Sequence, residues 1–372
     1  MQHTPTIPPW ARRPARAVAL AAGVLLASCG GSDRPEAVDV RIVHSFDGHD
    51  AGPYLPASGL TPAPDGHFYG LTTWGGTLDR GTLYRLTPDE KVERLHSFQD
   101  GADGALPYGS EMVLADGGRS LYGTTNYTME GPSTSFRWSL GGGFTSFGYL
   151  GTVRQDYSDG LVAGSDGNLY GATDREWMRI TPEGVQTGFL YPLPHFWFMD
   201  SMVAGDGGTF ALVWHQSGAP HALEFLSHEG EVTSLFSFGE DTPVGDHPMG
   251  LERARDGTMR GYTGRGGAHG HGTFFQATTA GVVTKLIDLP KPLCGMLTEA
   301  SDGRWYTFVC EEGAHAVARI TPDGSFTVIY TFSDPEFFPE ALVEHQPNRF
   351  YGVSLHGGAM GLGSIFELVI AP

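Results

Sequence analysis

The sequence predicts an all-β fold: a seven-bladed β-propeller of four-stranded antiparallel blades, with the N-terminal strand completing the last blade. Three observations predict it. First, one unit recurs along the 372 residues, and its first turn is marked by Asp65, Asp116, Asp166, Asp206, Asp256 and Asp302, with Asn348 in the seventh place. Intervals of 40 to 51 residues belong to propellers and solenoids. Second, 54 Gly and 25 Pro with only 17% charged residues suit many tight turns between short strands. Third, the last unit stops one strand short, and a matching strand stands before the first unit.

The first unit shows the pattern of a blade. Residues 58–63 read as its inner strand and turn at Asp65-Gly66. Residues 67–72, rich in aromatic and branched side chains, read as the second strand. A loop through Trp74, Gly75 and Gly76 leads to a third strand over residues 82–86. Pro88 presets the backbone of the next turn, and residues 92–98 alternate polar and apolar as an outer strand does. Turns like Thr87-Pro88 return at Thr181-Pro182 and Thr321-Pro322. After residues 364–368 the chain reaches Pro372 without a fourth strand, whereas residues 40–46 repeat residues 93–98 almost one for one. A first strand that completes the last blade removes two raw sheet edges, which an open solenoid would have to cap.

Residues 1–28 read as a lipoprotein signal peptide: Arg12, Arg13 and Arg16 precede an apolar stretch over residues 17–27. Leu26-Ala27-Ser28-Cys29 resembles the bacterial lipobox, so Cys29 is the expected lipidation site. Residues 29–38 follow as a tether, and residues 39–372 as a single propeller. The expected address is the bacterial cell envelope, in the periplasm or at the surface, with membrane contact through the lipid alone. Loss of the three arginines takes the net charge from −19 to −22. A body so acidic repels phosphate backbones, which excludes nucleic acid as the expected partner. Cys294 and Cys310 flank the Asp302 turn symmetrically, which predicts opposite positions on a hairpin and a disulfide in an oxidising compartment.

The run Tyr69-Gly70-Leu71-Thr72-Thr73-Trp74-Gly75-Gly76, continued through Gly81-Thr82-Leu83-Tyr84, resembles the GloVer-type tandem repeat of bacterial extracytoplasmic proteins. Tyr122-Gly123-Thr124-Thr125, Gly266-Gly267 with Gly272-Thr273, and Tyr351-Gly352 with Gly357-Gly358 repeat it. The likeness covers roughly residues 40–370 and is strongest in repeats one, five and seven. It implies a secreted or anchored propeller-like array and brings no catalytic residues with it.

In this architecture the loops entering each inner strand share a face with those between second and third strands. Tyr54, Tyr108, Tyr157, Asp159, Asp200, His247 and Glu340 converge there as a candidate platform for a protein, peptide or glycan, by stacking and hydrogen bonding. The plainer account is that Tyr and Pro pack the rim and the acids are solvated. His269 and His271, with His356 one loop-set away, have donor types a metal accepts, but histidines in glycine loops are commonly solvated, and neither a metal nor a cofactor is expected. The Asp-Gly runs at residues 47–50 and 100–104 lack an EF-hand frame and read as turns. No Gly-x-Ser-x-Gly elbow occurs. A binding module is therefore the leading expectation. The alternative is a carbohydrate-active lyase or hydrolase, using carboxylates such as Asp159 with Asp200 or Glu340, with Tyr and His, at the channel mouth.

Overall fold

The computed structural model describes residues 37–48, 54–107, 109, 112–126, 133–150, 158–173, 176–190, 196–215 and 220–371; at residues 158–159, 173, 176, 190 and 196–200 only the backbone is described. Seven antiparallel sheets follow one another along the chain. In blade 5, Asp246–Arg253 is the inner strand, followed by Met259–Arg265, Thr273–Ala277 and Val283–Asp288. Blade 1 differs in that its inner strand is split into Tyr54–Pro56 and Thr61–Pro62, both paired with Phe68–Trp74.

Blade 7 closes the ring as the repeat offset predicts. Its inner strands are Pro339–Gln346, Arg349–Ser354 and Ser364–Ile370, and Val38–Ser45 supplies the fourth. The register runs from Val38 opposite Ile370 to Ser45 opposite Ser364. Phe46 N–H then donates to Gly363 O at 3.0 Å, and Ala371 N–H to Ala37 O at 2.8 Å. The first and last described residues thus meet in one sheet.

The apolar interior is a ring of seven clusters, one at each junction between blades. Strand periodicity explains this, because successive side chains point to opposite faces. Leu83 packs toward blade 2, while its neighbours Tyr84 and Leu86 pack toward blade 7. Second and third strands are therefore buried on both sides, whereas the outer strand Val92–Ser97 is only partly buried.

The recurring Asp and Tyr-Gly have physical reasons. Asp65 Oδ1 accepts from the His67 N–H at 3.1 Å while Oδ2 accepts from the Tyr69 hydroxyl at 2.6 Å. Asp166 with Tyr170 and Asp302 with Tyr306 repeat the hook at 2.8 and 3.0 Å. The glycine after Tyr69 faces Tyr84 across the ladder, and a Cβ there would stand 2.4 Å from the Tyr84 ring. Gly352 faces Phe366 in the same way, at 2.1 Å. An aromatic of the third strand occupies the space a side chain would need.

Cys294 and Cys310 form a disulfide with 5.8 Å between their Cα atoms. They are not opposite each other, as sequence symmetry predicts. A bulge after Cys294, with Gly295 at φ 71°, slips the register so that Cys294 faces Phe308. The bridge therefore runs diagonally, a separation that still permits the bond.

Candidate functional site

The inner strands are not straight where they approach the axis. Register shifts occur between Ser158 and Leu161, Met249 and Glu252, Cys294 and Thr298, and Pro339 and Ala341. Such bulges bend a strand and re-aim its side chains. At this level lie Gly59, Gly109, Gly160, Ser201, Gly250 and Gly295, with Glu340 from blade 7. Together they line an axial cavity of about 400 Å³ to which every blade contributes. At Gly250 the need for glycine is explicit: φ is 65°, and a Cβ would sit 2.5 Å from the Tyr262 ring. Small residues keep the axis open, and Met202, Met249 and Met296 give it a soft, adaptable apolar wall.

Glu340 gives this wall a carboxyl of raised proton affinity. Burial pushes its carboxyl up to about 7. It can therefore donate a hydrogen bond as the neutral acid or pair with a cation as the carboxylate, near neutral pH. Glu252 lines the same cavity.

Of the other residues expected at the mouth, Tyr54 is committed to structure. Its hydroxyl donates to Asp79 Oδ1 at 2.8 Å, and the same oxygen accepts from the Gly75 N–H at 2.9 Å. Burial, reinforced by this hydrogen bond, raises the phenol well above its ordinary range. Tyr54 thus pins the second-to-third-strand loop of blade 1. Tyr108 and Tyr157 lie outside the described residues, as does Cys29. Asp159 and Asp200 stand on inner strands beside Gly160 and Ser201, with only their backbone described.

His247 joins a group that sequence reasoning missed. It lies against His221, Asp246 and Trp214, where blades 4 and 5 meet. His221 escaped notice because its loop lacks the Gly-Gly pair that marks the equivalent loops of blades 1, 5 and 7. His269, His271 and His356 do not assemble. Among the described residues, His221, Asp246 and His247 are the one group of three or more metal-ligating side chains. Trp177 and Trp305 are packed into blade junctions, as expected, but Trp214 walls this histidine group. Asp100 caps a short 3-10 turn through the Gly101 N–H at 2.8 Å, in keeping with a turn-forming role.

Residues 34–185 match the Gloeobacter/Verrucomicrobia repeat, and the chain is a tandem-repeat propeller. No curated protein matches it in sequence. Among solved structures it is similar to a streptogramin B lyase, at 12% identity and TM-score 0.65, over 90% of this chain and 98% of that one. A catalytically inactive virginiamycin B lyase from Staphylococcus aureus, solved with quinupristin, gives 13% and 0.63 over 90% and 99%. A puromycin-hydrolyzing peptidase from Mycobacterium tuberculosis gives 12% and 0.56, over 84% of this chain and 51% of that one. At such identities the likeness is one of fold, and function has to be argued from the site.

Proposed function

We propose that this protein is a lipid-anchored binding module of the bacterial cell envelope whose channel mouth receives a protein, peptide or glycan. The axial cavity carries this reading: all seven blades contribute to it, its wall is apolar and methionine-rich, and Glu340 is a partly buried acid on it. Concave apolar sites with a few placed polar groups are what ligands select. A peptide amine or a sugar hydroxyl beside an apolar portion of the ligand meets both features.

Chain direction supports the anchor. Val38 pairs with Ile370, at the end of the blade away from the mouth, whereas Ser45 pairs with Ser364 at the mouth end. The described chain therefore begins on the face opposite the mouth, which suits an anchor at Cys29.

The test is a glycan and peptide array probed with residues 38–372, followed by Glu340→Gln on each hit. Ligands held at the axis lose affinity in the variant; hits that all survive it would remove the cavity from the argument. Depolymerisation of a captured glycan, abolished by the same substitution, would move the protein to the carbohydrate-active class. Replacement of Cys29 by Ala is expected to release the protein from membranes, and continued retention would contradict lipidation there.

A further inference from the structure

The junction of blades 4 and 5 holds a second polar cluster, independent of the axial cavity. His221 precedes the third strand of blade 4, Ala222–Ser227, while Asp246 and His247 open the inner strand of blade 5. Asp246 stands between the imidazoles. Its Oδ1 is 3.9 Å from His221 Nε2 and its Oδ2 is 3.3 Å from His247 Nδ1. One ligand atom from each of the three lies within 4.8 Å of the others. The rings meet edge to face at 4.9 Å and 74°. Trp214 backs both, at 5.2 Å from His221 and 5.1 Å from His247, and is itself fixed by its Nε1 hydrogen bond to Pro248 O at 2.8 Å.

Two further observations point to a ligand. Nδ1 of His221 is buried without a hydrogen-bond partner among the described residues, and Nδ1 of His247 is buried with the Asp246 carboxylate 3.3 Å away but not in hydrogen-bonding geometry. Buried polar atoms are paired in nearly all folded proteins, and an exception calls for an explanation, of which an ion is one. His247 also adopts φ 58°, a backbone region uncommon for residues other than glycine.

We propose that His221, Asp246 and His247 form a binding site for a divalent transition-metal ion of the zinc class. Ligands about 2.1 Å from a tetrahedral ion stand about 3.4 Å apart, so Asp246 and His247 are already spaced for it, while His221 would have to draw closer. Two imidazoles and one carboxylate suit zinc, iron, nickel or copper, whereas calcium and magnesium select all-oxygen sets. Three protein ligands leave a fourth position for water or a ligand group. His247 is two residues from Met249 of the axial wall, which sets the cluster near the mouth.

The experiment is calorimetric titration of the untagged soluble body with zinc chloride. Saturable one-to-one binding, not displaced by magnesium, is expected; its absence overturns the proposal. Asp246→Asn and His247→Asn should each weaken binding at least about 10-fold, and Asn suits the backbone at position 247. Unchanged affinity in both variants, or loss caused instead by His269→Ala with His271→Ala, also overturns it. X-ray absorption at the zinc edge of the loaded wild type provides a readout that no variant's folding can confuse. Two imidazoles with oxygen ligands support the site, and any other imidazole number refutes it.

Discussion

Two junctions of the ring each pair histidine with carboxylate, and they are built to opposite ends. At the closing junction of blades 7 and 1, Glu367 is 1% exposed and both of its carboxylate oxygens are paired. Arg349 Nε donates to its Oε1 at 2.9 Å, Arg41 Nε to its Oε2 at 2.7 Å, and His345 Nε2 lies 3.1 Å from Oε1. His345 also stacks on Tyr351 at 4.0 Å, and Arg41 reaches across to Glu90 of blade 1. At the junction of blades 4 and 5, two imidazole nitrogens are buried without a hydrogen bond, and one residue carries an uncommon backbone. A satisfied cluster fixes the fold; one left with unmatched donors and acceptors is held ready for something else.

That contrast can be broken in three places. Deletion of residues 38–46 should have the largest effect, collapsing cooperative unfolding of the whole array, because it opens blade 7 and exposes the junction core around Phe366 and Leu368. A melting temperature equal to wild type would show that the ring does not depend on its seam. Glu367→Gln should cost about 2–3 kcal/mol, since Arg41 and Arg349 lose their buried counter-charge but keep access to solvent; chemical denaturation measures this, and a loss below about 1 kcal/mol would make the network ornamental. Although burial opposes its ionisation, Arg349 and Arg41 hold Glu367 below the usual carboxylate range, and Arg41 does so for Glu90. Their contribution is therefore present above the unfolded carboxylate range and fades as pH falls through the lowered values.

Glu340 has the opposite sign. Its folded value of about 7 lies above the ordinary 4.5, so the unfolded chain loses this proton first and stability declines as pH rises between the two. Glu340→Gln should recover up to about 3 kcal/mol above that window and nothing near its lower end. Identical pH profiles for variant and wild type would contradict a partly buried acid at the axis.

The repeats made much of the fold legible. Asp65, Asp166 and Asp302 mark turns because each anchors a tyrosine four residues on, and the glycine after Tyr69 is demanded by Tyr84 opposite. The closing strand was readable because residues 40–46 copy residues 93–98. What repetition cannot carry is the departure from it. The bulge at Gly295 turned an expected facing pair of cysteines into a diagonal one. Tyr54 looked available at the mouth, yet a contact with Asp79, 25 residues away, occupies it. Glu340 could be named from its position, but its raised proton affinity comes from burial that only the assembled ring supplies. His221 becomes a partner of Asp246 and His247 only when two blades are side by side.

The pairing of Val38 with Ile370 also dictates an order of events during synthesis. The Val38–Ser45 strand has no place to dock until the hairpin of Arg349–Ser354 and Ser364–Ile370 is available, so it waits for the six blades between them. Over that interval both the early segment and the unfinished sheet present raw edges, and a neighbouring copy could be captured instead. A chaperone or an early-stop truncation would therefore have its greatest influence at the two extremities rather than in the middle.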